Sequence, residues 1–71
     1  MDNKQRVLEY LKAGHTLTAY DGFIKLGIVS VRDYVSMLRR EGHNIIGEWR
    51  ENLDNGKRWK EYTLLQEVNN G

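Results

Sequence analysis

Side chains able to bind a polyanion or the edges of nucleic-acid bases form two clusters in this sequence. The first follows Val29, in a segment whose apolar residues recur with the period of an α-helix. The polar face opposite the apolar stripe carries Ser30, Arg32, Asp33, Ser36, Arg39 and Arg40. Because arginine forms paired hydrogen bonds with guanine and serine donates or accepts one, this face suits the major groove of DNA. Asp33 is the exception, since it repels phosphate unless it caps the helix or accepts from a cytosine amine.

The second cluster, Lys57, Arg58 and Lys60, follows the dipeptide Asn55-Gly56. Cations at this place would contact phosphates and supply salt-sensitive affinity, whereas the first cluster would supply sequence preference. Composition alone gives no such indication, because eleven Lys and Arg against ten Asp and Glu leave a formal charge of only +1. The prediction therefore depends on an uneven distribution of charge, with the acidic residues largely on other elements.

Several of these cations also have a structural interpretation. Arg39 and Arg40 end the predicted helix, where the helix dipole favours a cation whether or not a ligand is present. Arg32 lies in the first turn, where a cation opposes the dipole, and this position favours a DNA contact. Lys57 and Lys60 have the alternative role of solubilising charges, whose surface ion pairs contribute little to stability.

Three helices are predicted to position the first cluster. The spacing of apolar residues predicts them over about residues 3–13, 19–26 and 30–41. Each is followed by a glycine that favours a left-handed helix end, namely Gly14, Gly27 and Gly42. The chain thus begins with three short helices, and the first cluster lies on the third.

Capping signals begin the second and third helices. Thr18 with Asp21, and Ser30 with Asp33, have the spacing of an N-cap residue and its partner three residues on. Gly22 lies inside the second helix at a cost in helix propensity, which suggests close helix packing. Only about three residues, including a glycine, separate these helices, and such a connection sets two helices near perpendicular in a helix-turn-helix.

A β-hairpin is predicted to carry the second cluster, with strands over about 44–51 and 57–65. Asn55-Gly56 favours a type I′ turn, because both residues tolerate positive φ. A two-residue turn would pair Asp54 with Lys57, Glu51 with Lys60, Arg50 with Glu61, and Trp49 with Tyr62. Leu53 is apolar near the tip, which leaves a longer or irregular tip open. The short segment 15–17 is able to pair with this hairpin.

These elements predict an α+β domain of the winged helix-turn-helix class over residues 1–65, followed by a polar, disordered tail over 66–71. The class has three helices followed by a two-stranded wing, here with a possible short strand near 15–17. The predicted core contains Val7, Leu11, Phe23, Ile28, Val31, Val35, Leu38, Ile45, Trp49, Tyr62 and Leu64.

Spaced hydrophobic residues and glycines between about residues 6 and 65 form a recognisable pattern. They are Thr18, Gly27-Ile28, Val31, Val35, Leu38-Arg39, Gly42, Ile45, Glu48-Trp49, Gly56-Lys57 and Tyr62-Thr63-Leu64. The pattern resembles a family of small winged helix-turn-helix proteins of bacteriophages and integrated prophages. The resemblance implies a phage or mobile-element regulator of transcription or recombination. The sequence departs from it at Gly22, where alanine is usual, and on the outer face of the third helix, so no DNA target carries over.

The sequence lacks the residues that other classes of function require. The sequence contains no cysteine, and His15 and His43 are isolated from other potential ligands, so we expect no disulfide, metal site or cofactor. The sequence shows no nucleophilic side chain placed with a general base, no phosphate-binding glycine loop and no pair of carboxylates. Nothing in it therefore indicates an enzyme. No apolar run is long enough for a membrane span or signal peptide, so a cytoplasmic protein without a membrane partner is expected.

The sequence therefore predicts a non-catalytic, sequence-preferring protein that binds double-stranded DNA. The third helix would enter the major groove, and the wing, residues 52–60, would contact the backbone or minor groove. Further partners would be a second copy of the chain on DNA, or a phage or host protein. The alternative is a protein-binding module that uses an apolar patch of Trp59, Leu53 and Met37. Trp59 itself is either a contact residue or packed against Arg50 or Leu53.

Overall fold

The computed structural model describes residues 2–65, and these form an α+β domain of three helical segments followed by an antiparallel hairpin. The first helix is α1 (Asn3–Lys12). The second helix consists of α2 (Ala19–Asp21) and the π-helical turn (Gly22–Leu26) that continues it. The remaining elements are α3 (Val31–Arg40), β1 (Ile45–Glu51) and β2 (Arg58–Leu64). The predicted order is confirmed, and no predicted end differs from these by more than one residue. The predicted tail, 66–71, lies outside the described residues.

The second helix is built as predicted at both ends and differently in the middle. Thr18 Oγ1 accepts a hydrogen bond from the Asp21 amide at 2.9 Å, which confirms the N-cap. Gly27 ends the helix with a φ of 67°. Between them the helix widens into the π-helical turn, and the amides of Gly27 and Ile28 both bond to the Gly22 carbonyl.

Gly22 allows the second helix to approach α3 closely. The residue is buried, and a Cβ built on it would overlap Cγ2 of Val31. Its backbone φ of −60° is ordinary for a helix, so glycine is required here by space alone. The close helix packing predicted from this glycine is confirmed.

Helix α3 begins without the side-chain cap predicted for Ser30. The Ser30 carbonyl accepts from the amides of Asp33 at 3.0 Å and Tyr34 at 3.3 Å, whereas its hydroxyl makes no capping bond. The φ and ψ of Ser30, −112° and 51°, lie outside the extended region typical of N-cap residues. The capping prediction is therefore wrong at this helix, and backbone hydrogen bonds alone begin it.

The hairpin has a longer loop than a two-residue turn. Residues 52–57 connect the strands, closed by a hydrogen bond from the Asn52 amide to the Lys57 carbonyl at 2.8 Å. The side chains of Asn52 and Asn55 each accept from a backbone amide within the loop. Leu53 is exposed at the tip. The alternative of a longer tip, which the apolar Leu53 suggested, is thus the one observed.

The longer loop shifts the strand register by two residues from the predicted one. Trp49 opposes Lys60, and Tyr62 opposes Gly47, so the predicted pairing of Trp49 with Tyr62 is wrong. The other three predicted pairs are wrong for the same reason, since Glu51 opposes Arg58, Arg50 opposes Trp59, and Asp54 and Lys57 lie in the loop. A shift of two leaves every side chain on its predicted face of the hairpin.

Leu17 joins the hairpin to the helices. Its amide donates to the Tyr62 carbonyl at 2.9 Å, and the Tyr62 amide donates to the Leu17 carbonyl at 2.8 Å. The predicted pairing of segment 15–17 is therefore confirmed at one residue, which forms an isolated bridge. Thr18 follows directly, so the bridge fixes the start of the second helix against β2.

The core lies between α1, α3 and the base of the hairpin. Of the predicted core residues, eight are buried, namely Val7, Leu11, Ile28, Val31, Val35, Leu38, Ile45 and Tyr62. Leu64 is partly buried against them. Leu8 and Leu17 are buried and were not predicted. The prediction is wrong for Phe23, which is 59% exposed, and for Trp49, which is 63% exposed.

Both wrong predictions have a geometric reason. The π-helical turn directs Gly22 and Leu26 toward the core and leaves Phe23 on the outside. Trp49 lies on the same face of the hairpin as Ile45, but four residues farther along the strand, where the helices cover it only in part. This displacement leaves a large indole uncovered beside the second cationic cluster.

Candidate nucleic-acid interface

A cleft lies between the hairpin and the start of the second helix. Its volume is 430 Å³, and we call it the aromatic-cationic cleft. Its walls are Thr18, Ala19 and Tyr20 from the second helix, Arg32 from α3, and Trp49, Arg58, Trp59, Lys60 and Tyr62 from the hairpin. Among these described residues three are cationic, four are aromatic and none is acidic. The cleft therefore combines positive charge with apolar ring surface.

Trp49 organises the two cations of the hairpin. Arg58 Cζ lies 5.4 Å and Lys60 Nζ 5.8 Å from the centroid of the indole ring, both within the range of a cation–π interaction. Gly47 provides the space for Lys60, since a Cβ there would lie 2.5 Å from Lys60 Cε. The register thus sets both charges beside one ring without using them in ion pairs.

The cations of the cleft keep their charges available for a ligand. Within residues 2–65, no ion pair involves Arg32, Arg58 or Lys60. Arg32 lies in the first turn of α3, where the helix dipole gives it no stabilisation. Arg32 lines the same cleft as the two hairpin cations. An anion in the cleft would be attracted by all three charges.

Arg50 and its acidic partners lie on the other face of the hairpin. Arg50 Nη2 is 3.2 Å from Glu61 Oε1 and 3.7 Å from Glu48 Oε2. The contact predicted between Arg50 and Glu61 is thus present, but as a diagonal neighbour rather than a directly opposed pair. Alternate side chains point to opposite faces, so neither carboxylate lines the aromatic-cationic cleft, although Glu61 lines a neighbouring depression with Arg58.

Arg39 is held by the protein itself. Its Nε donates to the Ile45 carbonyl at 2.8 Å, and its guanidinium carbon lies 5.9 Å from the centre of the Tyr62 ring. It shares a stripe with Arg32 and Ser36 at helical spacing, on the side of α3 that faces the hairpin. The structure thus gives Arg39 an intramolecular role in joining the end of α3 to the sheet.

The other predicted site residues are placed around the cleft rather than in it. Ser30, Asp33 and Arg40 are exposed and Ser36 is partly buried, and all four lie on or beside α3. Lys57 lines a neighbouring depression together with Arg58 and Trp59. The structure therefore brings together Arg32, Arg58 and Lys60, with Lys57 next to them, and leaves Arg40 apart.

Two site residues were missed by the sequence analysis. Trp49 was predicted to be core, and Tyr20 was not among the predicted site residues, yet both line the cleft. The available signal for Trp49 was Gly47, which provides no side chain to continue the packed face, followed by cations on the returning strand. This signal could not identify Trp49 as a site residue, because the length of the loop, and with it the strand register, was not known from the sequence.

The proposed apolar patch is not gathered in one place. Trp59 lines the aromatic-cationic cleft, whereas Met37 lines a separate depression with Asn3 and Lys4 of α1. Leu53 lies at the tip of the hairpin. Trp59 opposes Arg50 in the ladder and exposes 39% of its surface. The residue is therefore partly covered by the protein and partly open to solvent.

The pair Lys4 and Glu41 lies outside the cleft and connects the start of α1 to the end of α3. The hydrogen bond to Glu41 raises the pKa of Lys4 above its usual value. Because the pair is exposed to solvent, it contributes little to stability.

The short turn between the second helix and α3, followed by the hairpin, defines a winged helix-turn-helix. Residues 2–67 match the family model of the winged helix-turn-helix domain, and the chain belongs to that family. No curated protein and no solved structure matches the chain. Domains of this family are typically non-catalytic DNA-binding modules, so membership indicates DNA binding.

No helix within residues 2–65 is long and apolar enough to cross the membrane. Over the same part of the chain, no group of three His, Cys, Asp or Glu side chains is arranged to hold a metal ion.

Proposed function

We propose that this protein binds double-stranded DNA with a preference for sequence, with α3 in the major groove and the wing on the backbone or minor groove. The observation that carries the proposal is that Arg32 of α3 lines one cleft with Arg58 and Lys60 of the hairpin, with no carboxylate among the residues of the cleft. One surface thus combines a helix able to read bases with cations able to bind phosphates.

The two elements have different tasks in this proposal. Arg32, with Ser36 and the neighbouring polar residues of α3, contacts base edges and supplies the preference. Arg58 and Lys60 contact phosphates, held in place by Trp49, and supply affinity that falls as salt rises. Lys57 extends this contact toward the tip of the wing.

We infer the biological role from the sequence pattern shared with small phage and prophage proteins. That resemblance supports a regulator of transcription or recombination encoded by a phage or other mobile element. The protein would act by occupying a DNA site or by shaping DNA for a recombinase. A second copy of the chain, or a phage or host protein, would complete the assembly on DNA.

The test is DNA binding measured by fluorescence anisotropy on duplexes from the neighbourhood of the gene, at two salt concentrations. Arg32→Ala should weaken binding to the preferred duplex by about 1–3 kcal/mol and affect a scrambled duplex less. The matched control is Arg6→Ala, which removes one positive charge from α1, away from the cleft. Its binding should stay close to that of the unmodified chain.

The proposal fails if Arg32→Ala and Arg6→Ala behave alike, or if the unmodified chain binds no duplex at either salt concentration. In that case the exposed aromatic residues of the hairpin would be explained better as a protein contact. Circular dichroism on each variant establishes that the fold is retained, which is expected because both side chains are solvent-accessible.

A further inference from the structure

The cleft has more exposed aromatic surface than contacts to an intact duplex require. Cations alone are sufficient to bind phosphates, and base edges in a groove are read mainly by hydrogen bonds. Yet Trp49 and Tyr20 both line the cleft, and they are 63% and 72% exposed. In an intact duplex the faces of the bases are covered by their neighbours, so these rings would have no base to stack on.

The cleft has the chemistry of a site for an unstacked base. Indole and phenol faces stack on bases of any identity, and adjacent cations bind the phosphates that flank them. Here the two kinds of group occur together, because Arg58 and Lys60 lie against the Trp49 ring itself. Its volume of 430 Å³ falls within the range of about 300–1,000 Å³ that is usual for small-ligand sites.

The position of the cleft relates it to the duplex-binding surface. Arg32 belongs both to the first turn of α3 and to the wall of the cleft. A duplex bound along α3 would therefore pass directly beside the opening. A nucleotide that is unpaired next to that duplex would reach the rings without separation of any base pair.

We propose that the aromatic-cationic cleft receives the base of an unpaired nucleotide of DNA, so that the protein prefers a duplex joined to a single-stranded segment over an intact duplex. The inference rests on the proposed duplex binding and adds the kind of DNA structure that the site takes. Base stacking on Trp49 tolerates different bases, so this preference for structure is separate from the preference for sequence that α3 supplies.

The test compares three labelled DNAs of matched sequence: an intact duplex, the same duplex with a short single-stranded extension, and the single strand alone. We expect the extended duplex to bind about tenfold more tightly than the intact duplex. In Trp49→Leu the ratio between these two affinities should fall to about one. The control Phe23→Leu also removes an exposed aromatic ring, but outside the cleft, and should keep the ratio.

The outcomes separate this inference from the proposed function. Equal affinity of the unmodified chain for both duplexes, or an unchanged ratio in Trp49→Leu, overturns the inference and leaves duplex binding in place. Binding of the single strand without binding of the intact duplex supports the stacking site and overturns the proposed function. Binding of none of the three DNAs overturns both.

A second readout reports the stacking itself. The sequence contains two tryptophans, so Trp59→Phe leaves Trp49 as the sole indole. Its fluorescence should be quenched by the extended duplex more strongly than by the intact one at saturation. Equal quenching by both DNAs would contradict contact between this ring and an unpaired base.

Discussion

At the scale of single residues, Gly22 shows how one missing side chain sets the geometry of the whole binding surface. The close approach of Val31 to Gly22 fixes how α3 lies against the second helix, and through this the position of Arg32. The sequence indicated close packing here from the presence of glycine inside a helix. It did not indicate which neighbour fills the space, because Val31 becomes adjacent only through the turn between the helices.

Gly22→Ala should lower the free energy of unfolding by about 1–3 kcal/mol, since the new methyl group overlaps Val31 Cγ2. The greater helix propensity of alanine, worth roughly 1 kcal/mol, acts in the opposite direction and should not cancel the overlap. Urea denaturation of the two proteins measures the difference.

The matched control is the double-mutant cycle with Val31→Ala. Removing the valine methyl groups leaves room for the added Cβ, so the two substitutions together should cost less than the sum of their separate effects. Strict additivity would mean that the destabilisation by Gly22→Ala does not arise from this contact.

At the scale of elements, the helices were more predictable than the hairpin. Helix ends are encoded locally by periodic apolar residues and glycines, and residues such as Gly27 take the positive φ expected of them. Strand register depends on loop length, and the loop here is stabilised by side-chain hydrogen bonds of Asn52 and Asn55 that the dipeptide Asn55-Gly56 does not reveal. The resulting shift by two residues placed Lys60, in place of Tyr62, opposite Trp49.

Arg39→Ala should act mainly on stability, because it removes the hydrogen bond to the Ile45 carbonyl and the contact with the Tyr62 ring. We expect a loss of about 1 kcal/mol in the free energy of unfolding, measured by urea denaturation. Arg40→Ala provides the matched control, since Arg40 lies beside it without such partners in the described chain. Equal stability of the two variants would contradict the bridging role of Arg39.

Neutralising the wing should lower affinity for all sequences alike. The double substitution Lys57→Gln with Arg58→Gln removes phosphate contacts and should reduce the slope of log affinity against log salt by about 1–2 units. The preference between the preferred and the scrambled duplex should survive, because α3 is unchanged. Salt titrations on both duplexes measure the effect, and a selective loss on the preferred duplex would assign base reading to the wing instead.

At the scale of the whole molecule, the chain offers one short helix and one small wing for DNA contact. Such a surface makes few contacts, and useful affinity commonly comes from paired half-sites. We therefore expect weak binding by one copy and tight binding when two or more copies occupy neighbouring sites. Sedimentation of complexes on DNA with one or two sites measures the stoichiometry. A stable one-to-one complex of nanomolar affinity on a short single site would contradict this expectation.

The bridge between Leu17 and Tyr62 divides the hairpin into two regions of unequal local stability. At the base of the hairpin, β2 is hydrogen-bonded on both edges, to β1 and to Leu17. It also lies beside buried residues such as Ile45. Beyond Trp49 the two strands pair only with each other, and their residues are exposed. Local opening is therefore favoured at the tip and opposed at the base. The wing is thus fixed at its base and free at its tip. Contact of the wing with DNA would therefore immobilise only its outer part and confine the loss of conformational entropy on binding to a few residues.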